Sequence, residues 1–412
     1  MISLRLRNLI FVIMILIIFL KIIFLSKDFY EPYKSFDLFD SFDNLKYSKL
    51  LYPTRNKSRH IYYKNITNIL NNKISDNSVL IFEPGLYHQE CTPGYTKYFL
   101  DLGYKVDVIF DSFGINAFSF FYPFENVRLF FFFQNLSIFS EYSKEFQTIL
   151  KNYSYIIIES TEPFKIKTYE DLGLFKMNNT IFVVHNYEYI NSTGITMLSK
   201  QNRIWSLGNL NNTLFVNPHY FGKIKRRKKN KITTFFITSN GNRYYKDLVL
   251  AAEKIKNEGL QFKVIVIGKG EEFSYKNISD NLKTNFKFRY HVGFFELYKS
   301  VISSDYIIIN LYPNYTTNDE YRTIILTGAS QLSFGFLKPA LIHKGFAKFY
   351  NMSSENSFLF DNTTFYKIMK KTVLLNDILY QKKQNNLIKL SVNLYKISYD
   401  NVVKTINSIL LQ

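Results

Sequence analysis

Ser78-Val79-Leu80-Ile81-Phe82-Glu83-Pro84-Gly85-Leu86-Tyr87-His88-Gln89-Glu90 is the stretch on which the fold turns. Val79–Phe82 is apolar without alternation, so it reads as a strand covered on both faces, and Pro84-Gly85 stops it. A helix comes next over Thr92–Leu102, opened by Thr-Pro and closed by Gly103. Lys105–Phe110 is the next apolar run. Strand, glycine-bearing loop, helix and strand make a βαβ unit, whose two strands must be parallel.

The pattern repeats along the chain. Val127–Phe133, Tyr155–Ile158, Ile181–Val184, Ile204–Leu207 and Leu214–Val216 continue the first series. A second opens with Thr233–Ile237, a helix over Tyr244–Asn257 and a strand over Phe262–Ile267. It continues with strands at Phe286–Tyr290, Tyr306–Leu311 and Ala340–Ile342, and becomes helical from Thr363. The expectation is α/β: two Rossmann-like domains facing a cleft, over 77–222 and 232–380, with a C-terminal amphipathic helix over 381–412 packed back across both. Between the halves, Lys223–Lys231 holds seven basic residues in nine positions. It reads either as a nucleic-acid or lipid patch or as a solvated linker; its place where the pattern restarts favours the linker.

The chain has 412 residues, enough for two domains and additions. Residues 1–8 read as a cytoplasmic tail, with Arg5 and Arg7 setting the orientation of a transmembrane anchor over 9–25. The competing reading is a cleaved signal peptide, but no small-residue cleavage site comes after it. Residues 26–76 read as a stem. A single-pass protein with a cytoplasmic N-terminus would place its body in the Golgi or ER lumen if eukaryotic. Eleven Asn-x-Ser/Thr sequons, from Asn56 to Asn362, all lie beyond the anchor and are compatible with a glycoprotein.

The net charge of +19 raises nucleic acid as a partner. The aromatic residues fall mostly on strand candidates, where they are core, and not on a basic stacking face, so nucleic acid is disfavoured. The single cysteine, Cys91, forms neither an internal disulfide nor a cysteine-based metal site alone.

In parallel sheets, ligands bind beyond the carboxyl ends of the strands. Four places qualify. Glu83, Gly85, His88 and Glu90 come after the first strand; His185 ends another. Gly241, Arg243 and Lys246 open a helix after the first strand of the second half, where amides and cations suit a diphosphate. Gly268, Gly270 and Glu271 form the fourth, read as a tight turn facing the ligand.

On these residues the chain resembles a GT-B fold glycosyltransferase of the kind sharing the glycosyl transferases group 1 domain, over about 77–380. Glu83-x-Gly85-x-x-His88 and Leu102-Gly103-Tyr104-x-Val106-x-Val108 resemble its acceptor domain. Gly241-x-Arg243-x-x-Lys246 resembles the donor-domain segment whose Arg and Lys contact the donor diphosphate. Phe262-x-Val264-x-Val266-Ile267-Gly268-x-Gly270, Tyr290-His291-Val292-Gly293 and Ser330–Ile342 resemble the later elements of that domain.

The resemblance implies transfer of a sugar from a nucleotide-sugar donor to a glycan, glycolipid or glycoprotein acceptor, with no resident cofactor or metal. Arg243 and Lys246 would stabilise the leaving group, and His88 or His185 would position acceptor or sugar. His291, Thr327 and Ser330 join the expected donor site. One departure stands out: the paired Glu residues that retaining members carry are replaced by Ile324 and Leu332. Thr327, Ser330 and Gln331 are candidate replacements, and a catalytically inactive glycan-binding descendant is the alternative.

Overall fold

The computed structural model describes residues 77–411, apart from 84–87, 112–116, 122–125, 133–142, 162–165, 191–195, 240–243, 269–272, 324–326 and the single positions 187, 189, 200, 209, 314, 316, 317 and 319. The tail, anchor and stem expected over 1–76 lie outside the described residues. Among the described residues, no helix is long and apolar enough to cross a membrane.

The first sheet contains β1 (Ser78–Glu83), β2 (Lys105–Asp111), β3 (Val127–Phe132), β4 (Tyr155–Ile158), β5 (Thr180–Val184), β6 (Ile204–Ser206) and β7 (Leu214–Phe215). Their order is β3-β2-β1-β4-β5-β6-β7, every pairing parallel. The second contains β8 (Thr233–Ser239), β9 (Phe262–Gly268), β10 (Phe286–Tyr290), β11 (Tyr306–Ile309), β12 (Ala340–His343) and β13 (Phe358–Phe360), ordered β10-β9-β8-β11-β12-β13 and again parallel. Each central strand is apolar because helices cover both faces: Val79–Ile81 and Ile307–Ile309 are all essentially solvent-free.

Six helices shape the cleft and its surroundings: α1 (Thr92–Asp101), α2 (Lys246–Asn257), α3 (Phe294–Ser303), α4 (Gly328–Gly335), α5 (Phe365–Leu374) and α6 (Asp377–Leu410). The sequence places the start of α2 two residues early, at Tyr244; it begins at Lys246. Gly268, expected in a tight turn, is instead the last residue of β9, paired with Ser239 and Tyr290. The short edge strand β13 is not apparent in the sequence, since three residues are too few to show a period.

Residues 223–231 are neither helix nor strand. The chain crosses between domains just before them, over Asn217–Gly222, and two glycines make room for it. A Cβ on Gly94 of α1 would lie 2.3 Å from the Pro218 carbonyl oxygen, and one on Gly335 of α4 2.3 Å from that of His219. No larger residue fits at either place.

The C-terminal helix begins at Asp377, with Asn376 capping it by accepting from the Leu379 amide. Its buried face runs Tyr380, Gln384, Leu387, Ser391, Leu394, Ser398, Val402 and Thr405, the spacing of one helical stripe. Tyr380 joins the outer core of the second domain, Leu387 and Leu394 the core between domains, and Tyr395, Val402 and Ile406 the core of the first. Buried polar residues pin it: Ser398 Oγ accepts from the Asn217 amide at 2.9 Å, and Thr405 Oγ1 from Trp205 Nε1 at 2.8 Å.

Candidate functional site

In each sheet the chain reverses its direction of winding beside the first strand, so a crevice opens at the carboxyl ends between β1 and β4, and between β8 and β11. The two crevices face one another. Glu90, in the turn before α1, brings its carboxylate within 3.6 Å of where a Cβ on Gly328 of α4 would sit. Phe120 of the first domain stacks on Phe295 of α3 at 5.9 Å.

The first crevice is acidic and dry. Glu83 ends β1 and Glu159 comes directly after β4; both are fully buried. The Glu159 amide donates to Phe82 O, which fixes the second carboxyl beside the first strand. Thr92 Oγ1 donates to Glu159 Oε2 at 2.5 Å, and Glu159 Oε1 has no hydrogen-bond partner among the described residues. Burial, and then the neighbouring Glu83 charge, raise the Glu159 carboxyl well above the usual carboxylate range. Two like-charged carboxylates in such a place disfavour each other's ionisation, which holds Glu159 on the protonated side of its ordinary behaviour. Tyr95 from α1 and Tyr298 from α3 close the crevice, their hydroxyls buried and without partners among the described residues. Burial, and then the neighbouring acidic groups, raise both phenols well above their ordinary range.

Beside it lie the two histidines. His88 ends the first loop with φ of 70°, an unusual left-handed conformation for a residue with a side chain. This turns its ring onto His185, with centroids 3.6 Å apart and planes 5° from parallel. His185 comes from the end of β5, ninety-seven residues away in the chain. Its Nε2 lies 2.9 Å from the Glu159 carbonyl oxygen, so that nitrogen carries the proton and Nδ1 is left as the basic one. Burial pulls its pKa down to about 4, leaving a neutral imidazole at ordinary pH. A neutral imidazole beside a carboxyl that binds its proton more tightly than usual is a set of groups able to accept and pass on a proton.

The second crevice presents helix starts. Lys246 is the exposed first residue of α2. Asn310, just beyond β11, donates from Nδ2 to Tyr244 O at 2.7 Å, tying that helix start to the switch point. At α4, Thr327 Oγ1 accepts from the Ala329 amide and Ser330 Oγ donates to Thr327 O, so both hydroxyls serve the helix start itself. A helix start concentrates free amides and partial positive charge, which suits an anion. His291 is exposed, with φ of 52°, and its amide donates to Gly268 O at the end of β9. Gly85, Gly241, Arg243, Gly270 and Glu271 lie outside the described residues.

The fold thus gathers Glu83, His88, Glu90 and His185 on one side and places Lys246, Thr327 and Ser330 on the facing domain. Sequence reasoning missed Glu159, Tyr95 and Tyr298. Glu159 directly succeeds an apolar strand, the same signal that singled out Glu83, and was legible; the two tyrosines sit within helices of ordinary pattern and were not. Leu332, at the second expected carboxylate position, is buried in the core between domains.

No protein-family profile and no curated protein matches this sequence. Solved structures do. A TarM variant from S. aureus, solved with fondaparinux, an α-GlcNAc-glycerol and UDP, superposes with a TM-score of 0.52 over 81% of this chain and 99% of that one, at 9% identity. The fold is that of a GT-B glycosyltransferase. The avilamycin glycosyltransferase AviGT4 aligns over 81% of this chain and 98% of its own at 10% identity, with a TM-score of 0.48.

Proposed function

We propose that this protein transfers a sugar from a nucleotide-sugar donor to a glycan, glycolipid or glycoprotein acceptor. The observation that carries this reading is the stacking of His88 on His185 at the carboxyl ends of the first sheet, together with a helix start bearing Lys246 beyond the carboxyl end of β8 in the second. Charge develops on the diphosphate as the sugar–oxygen bond breaks; in this reading Lys246 and the α2 and α4 amides stabilise it, with Arg243 assigned the same role from the sequence alone. The acceptor hydroxyl loses a proton in the same reaction, and His185, neutral and partly accessible, is the group placed to receive it. GT-B chemistry of this kind needs no bound metal, since side-chain cations and helix dipoles carry the electrostatic load.

The replacement of the expected carboxylates by Ile324 and Leu332 supports a second reading, a glycan-binding protein without turnover. One experiment separates them. Calorimetry with a panel of nucleotide sugars should show binding that Arg243→Ala/Lys246→Ala abolishes. The same panel, assayed for nucleoside diphosphate release, should show turnover. Unchanged affinity in the double variant refutes the donor site, and binding without release leaves the inactive reading.

A further inference from the structure

The junction of α5 and α6 exposes aliphatic side chains that nothing in the fold requires to be apolar. Leu374 is 58% exposed, Ile378 79% and Leu379 47%. They border a surface groove of about 430 Å³ lined by Lys367, Lys370, Lys371, Leu374, Leu375, Asn376 and Leu379. Lys367 and Lys371 stand one helical turn apart on α5, and Lys382 stands one turn beyond Ile378 on α6; all three are exposed. The basic linker is fastened to the same corner. The Lys229 amide donates to Asp377 Oδ1 at 2.9 Å and its Nζ to Val373 O at 2.7 Å, which brings the exposed Arg226, Arg227 and Lys228 alongside. The acids nearby are engaged: Glu258 pairs with Lys370 at 2.9 Å, and Asp377 accepts from Lys229 and Gln381.

We infer that this corner of the second domain docks on an anionic phospholipid surface. Its form is an aliphatic centre rimmed by cations on long apolar stems. That matches the boundary between acyl chains and phosphates, where leucines enter the hydrocarbon and lysines reach back to the headgroups. No aromatic side chain on which a base would stack lines the groove, which argues against nucleic acid. The charge complementarity is strong, because each basic residue near an anionic bilayer strengthens partitioning about fivefold. Docking of this kind is independent of the proposed sugar transfer and concerns only where the second domain rests.

The test uses the full chain with Ile378→Cys carrying an environment-sensitive fluorophore; the one native cysteine, Cys91, is buried. Reading the probe at 378 separates this corner from any insertion by residues 9–25. Mixed phosphatidylcholine–phosphatidylserine vesicles should shift the emission to the blue and shield the probe from an aqueous quencher. Pure phosphatidylcholine should do neither. Lys367→Gln/Lys371→Gln/Lys382→Gln should weaken the shift on the order of a hundredfold in lipid concentration. An unshifted probe on anionic vesicles overturns the inference. So does a blue shift without vesicles: concentration-independent, it means residues of the chain itself cover the patch; concentration-dependent, it means a second copy does.

Discussion

Glu159→Gln tests the buried acid pair, and its effect can be worked from the geometry. The wild-type carboxyl is fully buried, with one oxygen accepting from Thr92 and the other unpartnered among the described residues. Its folded pKa lies well above the unfolded value, so the folded state holds a proton that the unfolded chain has released above about pH 4.5. This group's contribution to stability is therefore greatest below the unfolded pKa and is lost as pH rises toward the folded one. In that window the loss is about 1.4 kcal/mol per pH unit. Glutamine keeps the shape and does not titrate. The gap between variant and wild type should therefore grow, in favour of the variant, from about pH 5.5 to 6.5, by at most about 1.4 kcal/mol. Urea unfolding of both proteins at the two pH values measures it. Because Glu83 shares the site, Glu83→Gln/Glu159→Gln is run alongside and should part from wild type in the same direction even if one carboxyl covers for the other. Parallel pH dependence in all three proteins would refute a raised carboxyl at this site.

Three further outcomes are expected. Tyr298→Phe removes a buried hydroxyl that has no partner among the described residues, so stability should hold or rise by up to about 1 kcal/mol; a loss above that in thermal unfolding would mean the hydroxyl is bonded. Gly335→Ala drives a Cβ against His219 O and the Phe221 ring, and should destabilise by about 1–3 kcal/mol in urea unfolding, more than the same change at the open Gly103 if the left-handed strain there is the only penalty. His219 is buried with both ring nitrogens near oxygens and its pKa held down to about 4. Stability should therefore fall as pH drops from about 6.5 toward 4, by about 3 kcal/mol, and His219→Gln should flatten that limb.

Local residue pattern alone specifies the two parallel sheets. Unbroken apolar runs such as Val79–Phe82 and Tyr306–Ile309 have no exposed face, and that property is readable at each strand without knowing its neighbours. Strand ends bearing Glu83, His88 and His185 were legible for the same reason, since the ligand edge of such sheets is fixed by topology.

Three things had to wait for the tertiary structure. The stacking of His88 on His185 depends on a left-handed backbone at His88 and on the order in which strands assemble. The acidity of the crevice depends on Glu159 losing all contact with water, a matter of packing rather than residue type. The burial of Ser391, Ser398 and Thr405 ran against their polarity. Seen along α6 alone they belong to solvent; Ser398 bonds back to Leu394 O and accepts from the Asn217 amide, and Thr405 accepts from the Trp205 indole and donates to Asn202 O, so partners from the first domain help make the burial of the last two tolerable.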